Sequence, residues 1–445
     1  MGLECQLRKL LNPGLIPCFS MLIPPIAPPK LLTATIVLSL RSSLLQLLVI
    51  CLIALAPRLH ATIDTQADEH FVATWATTIL PIKAEALDDT ILIQNVRISA
   101  GGDRARLHLS NLYGESELVI AAASLALLPE GHTKATEPKA QHTPLTFGGQ
   151  SEFTIPAGQN AVSDPIDFPV SALSDVAITL HIKKAPERYS GHGSAPAVSR
   201  SFYRSTQAPH SAQYERVRRW FFIHALDVTT TAPRQGAIVL LGDSITDGGG
   251  GPASHLRWGD ELARRLHGTG KTNGIGVVNK GVSGNRLLRE GGRAPSALDR
   301  FERDVLQTSG ARWVIVHIGI NDCGTLSRQD EGPPPTVSEF IAAYEQLIDR
   351  AHAAGLKVYG STLLPFKGAG YWTEIGEEYR KAINEWVRNH APYDAIIDFD
   401  AALRDPDDPD YLAEHYDGGD YLHPFVTGLH AMAHAIDLGL FDLDK

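Results

Sequence analysis

The apolar pattern of this 445-residue chain changes period near residue 230, and no single layer arrangement satisfies both halves. Between about 66 and 229, apolar and polar residues alternate, as in Arg106-Leu107-His108-Leu109-Ser110 and Val176-Ala177-Ile178-Thr179-Leu180-His181-Ile182. Side chains two apart share one face of a strand, so such segments suit half-buried strands. Gly101-Gly102-Asp103, Gly148-Gly149 and Pro156-Ala157-Gly158 punctuate them as turns, which predicts an all-β, sandwich-like domain over 66–229. Thr229-Thr230-Thr231-Ala232-Pro233 reads as a short linker. Beyond it, short apolar runs alternate with amphipathic helices, the pattern of βαβ units. The candidate strands are Ala237–Leu241, Gly276–Asn279, Trp313–Ile318, Lys357–Leu363 and Ala395–Asp398. Thr336-Val337-Ser338-Glu339 is a capping box, Phe340, Ala343, Tyr344, Leu347, Ile348 and Ala351 follow at helical spacing, and Gly355 ends the run. Residues 236–445 are therefore expected to form an α/β domain, a doubly wound (flavodoxin-like) five-stranded parallel sheet with helices on both faces.

The first 61 residues read as a leader. Arg41 precedes the apolar run Ser42–Ala56, and Leu59-His60-Ala61 offers a cleavage site. A secreted protein is expected, an uncleaved membrane anchor being the alternative, since Leu31–Leu40 adds a second apolar stretch. The formal charge of −10 is uneven: the leader carries a net +4, leaving −14 on the rest. An acidic body without a basic run excludes a nucleic-acid partner of the usual kind, because phosphate contacts need clustered Lys and Arg. Cys5, Cys18 and Cys51 fall in the leader and leave Cys323 alone, so no internal disulfide is expected in the mature chain. Oligomeric state is not readable from these residues.

In open parallel sheets, ligand groups collect beyond the carboxyl ends of the strands. Three short motifs fall there: Gly242-Asp243-Ser244-Ile245-Thr246-Asp247, Asn279-Lys280-Gly281-Val282-Ser283-Gly284-Asn285 and Gly319-Ile320-Asn321-Asp322. A fourth, Asp420-Tyr421-Leu422-His423-Pro424, precedes the last helix. In this order the four blocks resemble those of the SGNH/GDSL hydrolases, over roughly residues 236–437. Ile245 stands where the family has Leu. Leu145-Thr146-Phe147-Gly148-Gly149 and Pro156-Ala157-Gly158 look like parts of the extra N-terminal domain of a subgroup related to xylanase-linked acyl esterases.

The resemblance implies a serine ester hydrolase working without cofactor or metal. Ser244 is the expected nucleophile, activated by His423, and Asp420 would fix the imidazole tautomer. The backbone N–H groups of Ser244 and Gly284 and the side-chain amide of Asn321 are the expected oxyanion donors. Asp243 and Asp322 read as structural hydrogen-bond acceptors, Trp258 and Trp372 as packed indoles, and Cys323 as a buried small residue. The expected partner is a small-molecule or polysaccharide ester, with short acyl groups on carbohydrate favoured over longer lipid esters; a membrane enters only if the leader stays uncleaved.

Two rivals remain. His430 and His434 stand four apart on the last helix as metal ligands can, but Ala431 replaces a zincin's Glu. A non-catalytic carbohydrate-binding protein would need the catalytic set to have degenerated. The elbow GxSxG is absent, since Thr246 occupies its last position. Ser244→Ala and His423→Ala should each abolish most turnover of any ester the protein cleaves while leaving Tm little changed, and Asp420→Asn should hurt less than either. A silent Asp420→Asn would show that this carboxylate is misassigned.

Overall fold

In the computed structural model, which describes residues 70–442 apart from 84–85, 130–140, 194–200, 209–213, 231, 233–234, 249–254, 269–273, 293 and 329–331, the period-2 segments are antiparallel strands. The expected leader, with its three cysteines, lies outside the described residues. One sheet orders the strands Phe71–Ala76, Ile223–Thr229, Gly102–Ser110 and Asn160–Val162, with Ile166–Val170 also paired to the third. A larger sheet centres on Thr90–Arg97, Asp175–Lys184 and Leu118–Leu127. Leu107, Leu226 and Val228 of the first sheet share one core with Leu92, Val96, Ile120, Leu125, Val176, Ile178 and Leu180 of the second, so the two form a sandwich.

One strand departs from simple alternation. Ala177 and Thr179, which period 2 assigns to the wet face, are buried. Ala177 packs with Ile91, Ile93, Ala126, Leu128 and Phe202 in a second, smaller cluster behind the larger sheet. Small residues at these positions fit a covered face, and alternation alone does not distinguish that from solvent.

From residue 235 the architecture is parallel. The five strands are Gln235–Gly242, Gly274–Gly281, Ala311–His317, Lys357–Ser361 and Ala395–Ile397, ordered 2-1-3-4-5 across the sheet. The central strands are nearly uninterrupted apolar runs because both their faces are covered. Helices Trp258–Gly268 and Val426–His434 pack against each other, and Val337–Ala353 packs with Glu374–Asn389. The order reverses between the first and third strands, and right-handed crossovers then place the two helix groups on opposite faces. The capping box at Thr336 and Glu339 is formed, and the helix it starts runs to Ala353, two residues before Gly355 at φ +78°.

The two layers share their boundary. The strand Phe71–Ala76 carries a bulge between Ala73 and Trp75. Trp75 enters the sandwich core, while Val72, Ala73 and Ala76 belong to the core of the parallel sheet. This strand crosses the edge strand Gly274–Gly281 so closely that a Cβ at Gly276 would stand 2.1 Å from the Ala73 carbonyl oxygen. Edge amides are a template for unwanted pairing. Here the Val277 N–H donates to Ser99 Oγ at 2.8 Å and the Ala73 N–H to Ser309 O at 2.9 Å.

Arg300, fully buried, ties the boundary together. Its guanidinium donates to Gly242 O (3.0 Å), Lys280 O (2.8 Å), Thr78 Oγ1 (3.2 Å), Asn285 Oδ1 (2.9 Å) and Asp304 Oδ2 (3.0 Å). The first two are carbonyls at the ends of adjacent parallel strands, the third belongs to the antiparallel region, and the fourth lies in the glycine block. Asp304 also receives Arg303, and these neighbouring cations hold its carboxyl far below the usual range against the opposing pull of burial. Arg300→Met removes the one side-chain donor to buried Asn285 Oδ1 among the described residues and one of two donors to each of Gly242 O, Lys280 O and Asp304 Oδ2. It should lower the unfolding free energy by about 3–5 kcal/mol in urea denaturation. A change under about 1 kcal/mol would show that the cluster repacks freely. A chain beginning at residue 235 should fail to give cooperative thermal unfolding by circular dichroism, because it strips the cover from the strand Gly274–Gly281.

Candidate active site

Ser244 opens a short helical turn, Ser244–Asp247, directly after the first parallel strand. Asp243 caps it, its Oδ1 accepting the Ile245 N–H at 3.0 Å. As first residue of the turn, Ser244 has no preceding helical carbonyl for its own N–H. The hydroxyl donates to His423 Nε2 at 2.8 Å.

The segment 416–424 brings Asp420 onto His423 by a local fold. Asp417 Oδ1 accepts the N–H groups of Gly419 (3.1 Å) and Tyr421 (3.0 Å), and Gly418 N–H donates to His423 O at 2.8 Å. Tyr421 takes φ +60°, a left-handed conformation costly for a residue with a Cβ. Within this turn Asp420 Oδ1 accepts the Leu422 and His423 N–H groups at 3.1 and 2.8 Å, and Oδ2 lies 2.6 Å from His423 Nδ1. Partial burial raises the Asp420 pKa, but the hydrogen bonds from His423 outweigh it and hold the carboxyl below its ordinary value. An ionised carboxylate only accepts, so the proton sits on Nδ1 and Nε2 is left to accept from Ser244.

The oxyanion candidates converge on the same rim. Gly284 has φ +76°, and its turn uses the Asn285 N–H, which donates to Val282 O at 3.0 Å. Among the described residues the Gly284 N–H has no protein acceptor. Asn321 Nδ2 donates to Asn285 O at 3.0 Å, and its Oδ1 accepts from the Tyr371 hydroxyl at 3.3 Å. That pairing sets the orientation of the amide and leaves its second N–H unused by either bond.

Two buried carboxylates stand behind these groups. Asp322 Oδ2 and Oδ1 accept the Leu287 and Leu288 N–H groups at 2.8 and 3.3 Å, and so anchor the loop after Gly284. Asp243 and Asp322 are both pushed up to about 7, chiefly by burial. Trp258 is fully buried against Phe399, whereas Trp372 is only partly buried beside Tyr371. Cys323 is buried, which pushes its thiol up.

His430 and His434 face Glu261, with Nε2 at 3.9 and 3.5 Å from its oxygens. Arg264 Nη2 already holds that carboxylate at 2.6 Å. Among the described residues there is no group of three or more His, Cys, Asp or Glu placed to hold a metal ion.

Sequence reasoning missed three participants. Tyr371 and Arg300 sit in no motif. His192, of the antiparallel region, donates from Nδ1 to Thr78 O at 3.0 Å and lies 3.0 Å from Asp247 Oδ1 through Nε2. Burial lowers its pKa, but the Asp247 carboxylate outweighs that and raises it above the ordinary imidazole value. Asp247 Oδ2 also accepts from Ser283 Oγ at 2.9 Å.

Several known structures resemble this chain. A GDSL-like lipase from Bacteroides thetaiotaomicron is 19% identical, covering 46% of this chain and 89% of its own, with a TM-score of 0.34. An acetylxylan esterase from Geobacillus stearothermophilus is 22% identical over 46% of this chain and 94% of its own, with a TM-score of 0.35. No curated protein matches. Residues 240–430, which lie within the parallel-sheet part of the chain and include Ser244, Gly284, Asn321, Asp420 and His423, match the GDSL-like lipase/acylhydrolase family.

Proposed function

We propose that the protein is a serine ester hydrolase that cleaves carboxylic esters through an acyl-enzyme, with short acyl groups on carbohydrate as its substrate class. The observation that carries this reading is the unbroken chain from Asp420 through His423 to the Ser244 hydroxyl, at 2.6 and 2.8 Å, beside the N–H of Gly284 and the amide of Asn321. His423 Nε2 takes the hydroxyl proton as Ser244 Oγ attacks the ester carbonyl. The negative charge on the former carbonyl oxygen is met by the Ser244 and Gly284 N–H groups and Asn321 Nδ2. His423 then returns the proton to the departing alcohol. Water, deprotonated by the same nitrogen, releases the acid and regenerates Ser244.

The substrate class draws on the rim. Tyr421 and Phe425, two residues to either side of His423, each expose about half of their surface. Exposed aromatic faces beside the leaving-group side suit a sugar ring better than a chain of methylenes, which gains most from enclosure. Export by the leader fits a polysaccharide substrate outside the cell.

A panel of p-nitrophenyl esters from acetate to palmitate, set beside acetylated xylan, tests the proposal. Acetate should be turned over fastest and acetylated xylan should lose acetate. Asn321→Ala should lower kcat by about 10²–10³-fold, and Ser244→Ala should be inactive. Palmitate as best ester would replace the carbohydrate reading with a lipid one. Full activity of Ser244→Ala would remove the serine mechanism.

A further inference from the structure

We infer that His192, contributed by the antiparallel region, is a positioning residue for the oxyanion site, acting through Asp247 and Ser283 on the Gly284 N–H. The inference rests on the esterase reading above and adds a role for the region that precedes the parallel sheet.

The two proposed backbone donors lie on separate loops. Ser244 is on the turn after the first parallel strand, and Gly284 follows the second. Asp247 closes the Ser244 turn, its N–H donating to Asp243 O at 2.8 Å, and its side chain accepts Ser283 Oγ, one residue before Gly284. One carboxylate therefore bridges the loops that carry the two donors. It is only 4% exposed, so its charge needs a partner.

His192 is that partner. The ring is 1% exposed, and each nitrogen faces an acceptor, the Thr78 carbonyl on one side and Asp247 Oδ1 on the other. A ring between two acceptors carries both protons, and the resulting cation compensates Asp247. Thr78 is itself held on the parallel sheet, its hydroxyl donating to Lys280 O at 3.2 Å. Without the imidazolium, the buried Asp247 carboxylate loses its hydrogen-bonded cation and keeps the Ser283 hydroxyl and the field of Arg257, which changes how it holds Ser283. An oxyanion donor acts within a few tenths of an ångström, so the loss appears in the transition state rather than in substrate binding.

The full-length chain is assayed on p-nitrophenyl acetate, with kcat expressed per active site titrated by a fluorophosphonate. His192→Ala should lower kcat per titrated site by about tenfold, short of the ~10²–10³ expected for deleting a donor, with KM within about twofold of wild type. His192→Gln, which keeps one donor for Asp247, should recover part of the loss. Ser283→Ala removes a single hydrogen bond, should fold normally, and should reproduce the kcat effect. The double variant should be no worse than its worse parent, because both changes break one relay. Unchanged kcat per titrated site in His192→Ala and Ser283→Ala, with only Tm reduced in the former, would overturn the inference and leave His192 a structural clamp. Multiplying effects in the double variant would overturn it too. Failure of wild type to label at Ser244 instead overturns the esterase reading, and this inference with it.

Discussion

A buried guanidinium organises this molecule. Arg300 joins the carbonyl ends of two neighbouring parallel strands, a side chain of the glycine block and a threonine of the antiparallel region. Gly242 O and Lys280 O each accept one other hydrogen bond, from the Val282 N–H and the Thr78 hydroxyl, and one planar cation with several directed donors fills the second lone pair of both at once. Arginine suits the position because its charge does not titrate away on burial. The loops bearing Ser244 and Gly284 spring from the carbonyls it holds, so the placement of the site follows from this contact before any reacting residue is considered.

The carboxylates around the site divide by environment. Asp420, partly exposed and surrounded by donors, is held ionised and orders the imidazole. Asp243 and Asp322, buried and close to one another, are pushed towards neutrality, Asp243 accepting one backbone N–H through Oδ1 and Asp322 accepting two. Residues of one type thus hold an imidazole at the solvent edge and the loops behind it.

Much of this was legible in the sequence, for identifiable reasons. The five parallel strands are apolar runs long enough to declare themselves, and Thr336 with Glu339 marks a helix start by local hydrogen bonds alone. Asp420 and His423 stand in one turn, so their spacing announces their meeting, whereas Ser244, 179 residues before His423, was joined to them by the resemblance that the four short blocks carry. Arg300 was not legible, because its five acceptors come from positions as far apart as Thr78 and Asp304, and an arginine on a helix reads as a solvated face. His192 was hidden for the same reason: its partner Asp247 is 55 residues away. The covered outer face of Asp175–Lys184 was missed because alternation cannot tell a face under protein from a face under water. The linker expected at 229–233 spans little room, since the strand Ile223–Thr229 ends and Gln235–Gly242 begins within six residues.

The strand Phe71–Ala76 pairs with Ile223–Thr229, the last strand of the antiparallel region, and also lies across a sheet made from still later residues. During synthesis it must therefore wait, unpaired, until the ribosome has delivered everything between. A topology that postpones its closing seam costs folding speed.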